Sequence, residues 1–190
     1  MEKYNFGEDV SYLLVYNKLG IKTLEQLEMA EAYAFMIRAL EIENGLYKIA
    51  EFTKHSYMGL HRYLFQDIYT FAGKFRKVQL SKGSTRFCQF QYIDQMADEI
   101  FTALHAEGDW RDIETAAKRL AYFKAELNML HPFREGNGRA TRIFIHAYAR
   151  TKGYEWDYAS LDKDEYMQAM IQSVVDTTLL EQIFYKTLSS

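Results

Sequence analysis

Pro132 is the only proline in 190 residues, and it falls at the end of the most regular apolar pattern in the chain. Ile113, Ala116, Leu120, Phe123, Leu127 and Leu130 recur at alternating spacings of three and four, which predicts a helix with one apolar stripe. Proline disfavours helical geometry at the residue before it. The helix is therefore expected to stop at or beside His131, displaying its imidazole at a helix-to-loop corner. The next stretch, HPFREGNGRATR at positions 131–142, holds one histidine, one acid, two glycines and three arginines.

Most of the remaining chain also reads as helix. Thr23-Leu24-Glu25-Gln26 resembles a capping box that opens a helix through Leu27, Ala30, Ala34, Ile37 and Leu40, all expected on one face, with a stop near Asn44-Gly45. Further helices are expected over about 53–68, from Ile93 through Leu104 to Gly108, and from Gly138 to about Lys152. The last of these is apolar nearly all round, in Ile143, Phe144, Ile145, Ala147 and Tyr148, as a central buried element would be. Asp162, with Glu165 three residues on, caps one or two final helices over 162–188. Between 77 and 90 the period changes to two. That segment is expected to be a small hairpin turning at Lys82–Thr85, with Val78 and Leu80 on one side and Phe87 on the other. The expected fold is mainly α, a helical bundle with one small β-hairpin. A single domain over 1–190 with a core at about 23–188 is expected, since no repeat or Pro/Gly/Ser linker divides the chain.

Around the loop, residue types and spacing point to phosphate chemistry. Gly136 and Gly138 permit backbone geometries closed to other residues and open a helix whose first amides have no internal acceptor, which makes an anion cradle. Arg139 and Arg142 stand in the first turns of that helix, where cations oppose its dipole, and their spacing of three puts both on one side to grip successive phosphates. Glu135 offers the hard oxygen that magnesium carrying phosphates prefers. His131 is the candidate base.

A net charge of −3 excludes a global basic field for nucleic acid or anionic lipid, and direct nucleic-acid binding is not expected. A single cysteine, Cys88, excludes an intrachain disulfide and suits a reducing compartment, so the expected location is the cytoplasm. No apolar stretch of membrane-spanning length is present, and MEKYNFGEDV at the N-terminus lacks the apolar core of a signal peptide.

HPFREGNGRATR resembles the Fic family motif: histidine, any residue, phenylalanine, any residue, acid, Gly-Asn-Gly-Arg, two residues, arginine. Every fixed position is filled. SKGSTRF is similar to the family's flap, and LHRYLFQDIYTFAGKFR ahead of it extends the likeness, which covers most of the chain from about Thr23. The resemblance implies a protein adenylyltransferase that moves AMP from ATP to a Ser, Thr or Tyr hydroxyl of a target protein. It implies His131 as general base, Glu135 as magnesium ligand, Gly136, Asn137 and Gly138 as the anion hole, and Arg139 and Arg142 on the phosphates. Pro132 and Phe133 would be structural, with Phe133 anchoring the loop. Lys82, Gly83, Ser84 and Thr85 would cover the nucleotide and pair edge-on with the target backbone. Asn128, one turn before His131, is a weaker nucleotide contact. The alternatives are a Fic-fold transferase with another donor (a kinase, another nucleotide or phosphocholine) and a non-catalytic nucleotide-binding module. Lysine stands at the place of Gly138 in Doc-like kinases, which disfavours that branch.

Many Fic proteins carry an inhibitory helix in which a serine or threonine, three residues, glutamate, then glycine or asparagine places the glutamate on the motif's last arginine, here Arg142. No full match exists here: Thr177 to Glu181 is followed by Gln182, Thr151 to Glu155 by Trp156, and Ala39 to Asn44 lacks the hydroxyl. Inhibition is therefore expected in trans, from a small antitoxin-like protein. Cys88 is expected to be a filler. His55, His61, His105 and His146 are expected to be backbone-satisfied or exposed. Tyr154, Trp156 and Tyr158 suit either an adenine wall or core packing.

Overall fold

The computed structural model describes residues 11–190; the MEKYNFGEDV segment lies outside the described residues. Helix α1 (Ser11–Tyr16) leads into α2 (Leu24–Glu43) and α3 (Lys54–Phe65). A hairpin of β1 (Ser81–Lys82) and β2 (Thr85–Arg86) follows, then α4 (Ile93–His105), α5 (Ile113–Leu130) and α6 (Asn137–Thr151). The chain closes with β3 (Glu155–Trp156), α7 (Lys163–Gln172), α8 (Thr178–Thr187) and β4 (Leu188–Ser189), β3 pairing antiparallel with β4. No described helix is long and apolar enough to cross a membrane.

The caps expected at Thr23 and Asp162 are present, and the structure adds two more, at Thr53 and Asp112. Thr23, Thr53, Asp112 and Asp162 each accept an amide hydrogen bond at the start of the helix they cap, satisfying donors that have no partner inside it. Helices α5 and α6 form the centre, packed on each other, with α4 and α8 against α5 and α3 against α6. Leu120, Phe123 and Leu127 of α5 and Ala140, Phe144 and Ile145 of α6 are wholly enclosed, and each large apolar side chain contributes about 1.5–3 kcal/mol by leaving water. Phe144 meets Tyr57 and Phe101 edge-on, and the Tyr57 hydroxyl bonds Thr141 at 2.7 Å inside the core. This contact ties α3 to the first turns of α6.

Two local expectations are corrected. Helix α2 buries Leu27 and Glu31, whereas Ile37 and Leu40 face solvent with Met29, Tyr33 and Met36. Apolar residues occur on every side of α2, so periodicity alone does not select its inner face; the buried carboxylate of Glu31 marks it, by taking bonds from Tyr69 and Arg139. In the hairpin, Ser81 opposes Arg86 and Lys82 opposes Thr85. That register places Leu80 opposite Phe87, joined by the Phe87 amide to the Leu80 carbonyl at 3.2 Å, so both side chains point inward together. Gly83 takes the positive φ of 57° that the two-residue turn requires.

Candidate active site

Helix α5 ends at Leu130, and His131 caps it in the left-handed region at φ 42°, ψ 56°, the only described non-glycine residue with positive φ. This geometry costs roughly 1–2 kcal/mol for a residue with a Cβ. Three backbone contacts hold it: the His131 amide donates to Leu127, its carbonyl accepts from Arg76 Nε at 2.8 Å, and the Pro132 carbonyl accepts from the Arg76 amide at 2.8 Å. The imidazole stacks on Phe87 of the hairpin with centroids 3.7 Å apart. His131 Nδ1 is 3.2 Å from the Asn128 carbonyl, a contact that calls for the proton on Nδ1 and leaves the lone pair on Nε2. Asn128 thus meets the imidazole through its backbone.

Burial pushes His131 down to about 3, with the charges of Arg76 and Lys82 adding to the effect and the Asn128 bond opposing it. The ring is neutral at physiological pH, as a proton acceptor must be. His61 behaves alike, held at about 3 by burial. It accepts from the Gly73 amide at 2.9 Å, donates to the Glu135 carbonyl at 2.8 Å and stacks on Phe133 at 3.7 Å. These bonds satisfy it through the backbone, and they also brace the loop from below. Because the unfolded chain protonates both rings near 6.5 and the folded chain does not, stability is full above about 6.5 and declines as pH falls toward 3. Urea midpoints measured from pH 7.5 to 5 are expected to fall steadily below pH 6.5; a flat profile would contradict the buried neutral assignment.

Beyond Phe133, which is fully buried against Tyr57, His61 and Phe75, the Asn137 side chain clamps the loop. Its Oδ1 accepts from the Phe133 amide and its Nδ2 donates to the Phe133 carbonyl, both at 2.7 Å. What Asn137 leaves for a ligand is its amide. The amides of Asn137, Gly138 and Arg139 have no acceptor among the described residues, since the first helical bond of α6 runs from Ala140 to the Gly136 carbonyl. Gly136 has φ 79°, and a Cβ there would lie 2.4 Å from the Phe65 ring. Gly138 differs from the sequence expectation: its backbone is ordinary and a Cβ would meet nothing within 4 Å. The missing side chain there leaves open space at the helix start; it does not relieve strain.

The charged groups divide into two sets. Glu135 accepts from the Gly136 amide at 2.9 Å and lies 3.5 Å from Arg139. Arg139 in turn pairs with buried Glu31 and lies over the Phe35 and Phe65 rings at 5.3 and 4.9 Å. It is thus already neutralised on the α2 side. Arg142 forms no ion pair or hydrogen bond among the described residues and lies over the Tyr158 ring at 5.6 Å. Glu43 and Glu155 pair with Arg150, and Glu181 bonds Thr177, so none of these carboxylates reaches Arg142.

The hairpin tip, Lys82 to Ser84, is exposed, with Thr85 half-buried. Its base is held by Arg76, whose guanidinium donates to the Val78 and Cys88 carbonyls, both at 2.6 Å, while Nε bonds His131. Sequence reasoning gave Arg76 no role. The signal was weak, because an arginine between Phe75 and Lys77 looks like surface until the chain brings three carbonyls around it. Trp156 is a core residue, 1% exposed and packed on Phe184, while Tyr158 is the ring that touches Arg142.

This helical bundle, with its hairpin over the His131–Pro132 corner between two central helices, shares its fold with Fic domains of known structure. The N-terminal Fic domain of a Bartonella effector protein from Bartonella sp. AR 15-3 superposes with a TM-score of 0.84 over 97% of this chain and 96% of that one, at 18% identity. BepC from Bartonella tribocorum, solved with bound AMPPNP, superposes at 0.80 over 91% of both chains, at 20% identity. In sequence, the chain is 35% identical over 196 residues to a probable protein adenylyltransferase Fic of Escherichia coli (strain K12), covering 99% of this chain and 96% of the relative. It is 37% identical over 163 residues to protein adenylyltransferase VbhT of Bartonella schoenbuchensis, covering 84% of this chain and 34% of that longer protein. With residues 51–149 matching the Fic/DOC family, the chain belongs to that family.

Proposed function

We propose that this chain is a protein adenylyltransferase: a target hydroxyl oxygen bonds to the α-phosphorus of ATP, the bond from that phosphorus to the α,β-bridging oxygen breaks, and pyrophosphate leaves. The hydroxyl proton passes to Nε2 of His131. The observation that carries the reading is the neutral His131 ring, fixed by Asn128 with its lone pair on Nε2, beside a helix start whose amides at Asn137, Gly138 and Arg139 await an anion. These amides suit the charge that develops on the α-phosphoryl oxygens. Arg142, without a carboxylate, suits the departing phosphates.

The donor set around Glu135 fits magnesium brought by the nucleotide: one half-buried carboxylate from the protein, with phosphate oxygens supplying further ligands, is the usual arrangement for that ion. Bound there, the ion would neutralise the phosphates. Among the described residues no cluster of three or more His, Cys, Asp or Glu forms an all-protein cage. Lys82 to Thr85, the exposed tip of a hairpin two residues per strand, is suited to cover the nucleotide and pair with the target backbone.

Control in trans by an antitoxin-like protein accords with the same geometry, since no described carboxylate reaches Arg142. The unpaired thiol of Cys88 accords with a reducing cytoplasm. Expression of the chain in bacterial cells, followed by mass spectrometry of total protein, is expected to find AMP on hydroxyl side chains that is absent with His131→Asn. If the wild-type chain proves inactive and Glu181→Gly alone activates it, inhibition is internal and control in trans is wrong.

A further inference from the structure

Lys124 projects from the inner side of α5, 2% exposed, between the enclosed residues Phe123 and Ala125. Its ammonium makes no hydrogen bond and no ion pair among the described residues. Its neighbours are the rings of Trp156 at 5.9 Å and Tyr166 at 5.6 Å, and the positive charge of Arg142. Arg142 is in the same condition, with only the face of Tyr158 beneath it. The two cations are thus electrostatic neighbours, each set against aromatic faces, and no carboxylate among the described residues pairs with either of them.

Burying an ammonium without a partner is costly, and the aromatic faces offset only part of that cost. A methionine would fill the same space without a charge. An uncompensated pair of this kind is matched by a ligand with closely spaced negative charges, and Arg142 is the arginine that would take the departing phosphates if AMP transfer is the reaction. We propose that Lys124 is a second cationic contact, beside Arg142, for the β- and γ-phosphates of the nucleotide. The inference rests on the adenylyltransferase reading and deepens it, because the contact selects the polyphosphate tail over adenosine and the α-phosphate.

A proton linkage follows. Burial, with Arg142 adding, pushes Lys124 down to about 7, so the resting side chain is partly neutral near physiological pH. The groups facing it are Arg142 from α6, Tyr166 from α7 and the indole of Trp156; Tyr166 is itself raised by burial, so it carries no charge in this range. Phosphate charge reverses the effect of Arg142, so ATP binding draws a proton onto Lys124. Affinity for ATP is therefore expected to weaken between pH 6 and pH 8.5.

The test is calorimetric titration of the full chain and of Lys124→Met with ATP, AMP and inorganic pyrophosphate, in two buffers of different ionisation heat. Expected for the variant are ATP and pyrophosphate weakened on the order of tenfold, AMP unchanged, and a smaller proton uptake with ATP than in the wild type. The nucleotide's own titration cancels in that comparison. Unchanged ATP affinity and proton uptake would overturn the proposal, and so would equal weakening of AMP, the mark of a merely structural role. If the variant fails to fold, the Lys124 13Cε titration in the wild-type chain decides: its midpoint rises with pyrophosphate, or the proposal falls. Pyrophosphate binding that depends on Lys124 without any ATP binding would keep the anion contact and remove the nucleotide reading. ATP binding indifferent to Lys124→Met would do the reverse.

Discussion

His131→Asn is expected to lower AMP transfer by roughly a hundred- to ten-thousandfold, the usual contribution of a positioned general base, while nucleotide affinity stays within a fewfold of wild type. Asparagine is the appropriate replacement because the position has φ 42°, where asparagine is better tolerated than alanine. It keeps the left-handed corner, the amide bond to Leu127 and the carbonyl that Arg76 holds. What it removes is the ring nitrogen that accepts the proton. The check is a rate of AMP incorporation beside an ATP affinity for the same preparation. A variant that loses both has lost the site; one that loses only the rate identifies the base. Retention of the rate would mean that the proton goes elsewhere.

The second large effect is on folding. Gly136→Ala places a Cβ 2.4 Å from the Phe65 ring at a backbone φ of 79°. Left-handed strain contributes about 1–2 kcal/mol and overpacking about 1–3 kcal/mol, so a loss of about 2–5 kcal/mol is expected in urea denaturation. Gly138→Ala is the paired control. Its Cβ meets nothing within 4 Å and its backbone is helical, so a gain of about 0.5–1 kcal/mol is expected from helix propensity. The added methyl sits in the first turn of α6, whose amides the nucleotide would use, so ATP binding is expected to fall as stability rises. Two glycines two residues apart thus separate: one is required by packing and the other by the ligand.

This division was only half legible in the sequence. Pro132 and the spacing of Leu120, Phe123, Leu127 and Leu130 placed the end of α5 beside His131, because both signals are local. The Gly-Asn-Gly run placed a helix start and its free amides for the same reason. The finer assignments depended on partners far along the chain. Arg139 looked like a free phosphate clamp, but its carboxylate partner, Glu31, is 108 residues away on a helix whose inner face periodicity could not choose. Arg76 gains its meaning from His131, 55 residues on. Lys124 interrupts an apolar stretch as any solvated lysine might, and only the fold, which sets it beside Trp156 of β3 and Tyr166 of α7, encloses it. Phe87 was turned to the wrong side because alternation within one strand does not fix which residue of the other strand it opposes.

In AMP transfer it is the α-phosphoryl group of ATP that moves. Incubating the purified chain with magnesium, host lysate and ATP labelled at either the α- or the γ-phosphate tests it directly, with His131→Asn alongside. Protein-bound label is expected from the α-position only, and none in the variant. Protein-bound label from the γ-position would contradict it and make the chain a kinase.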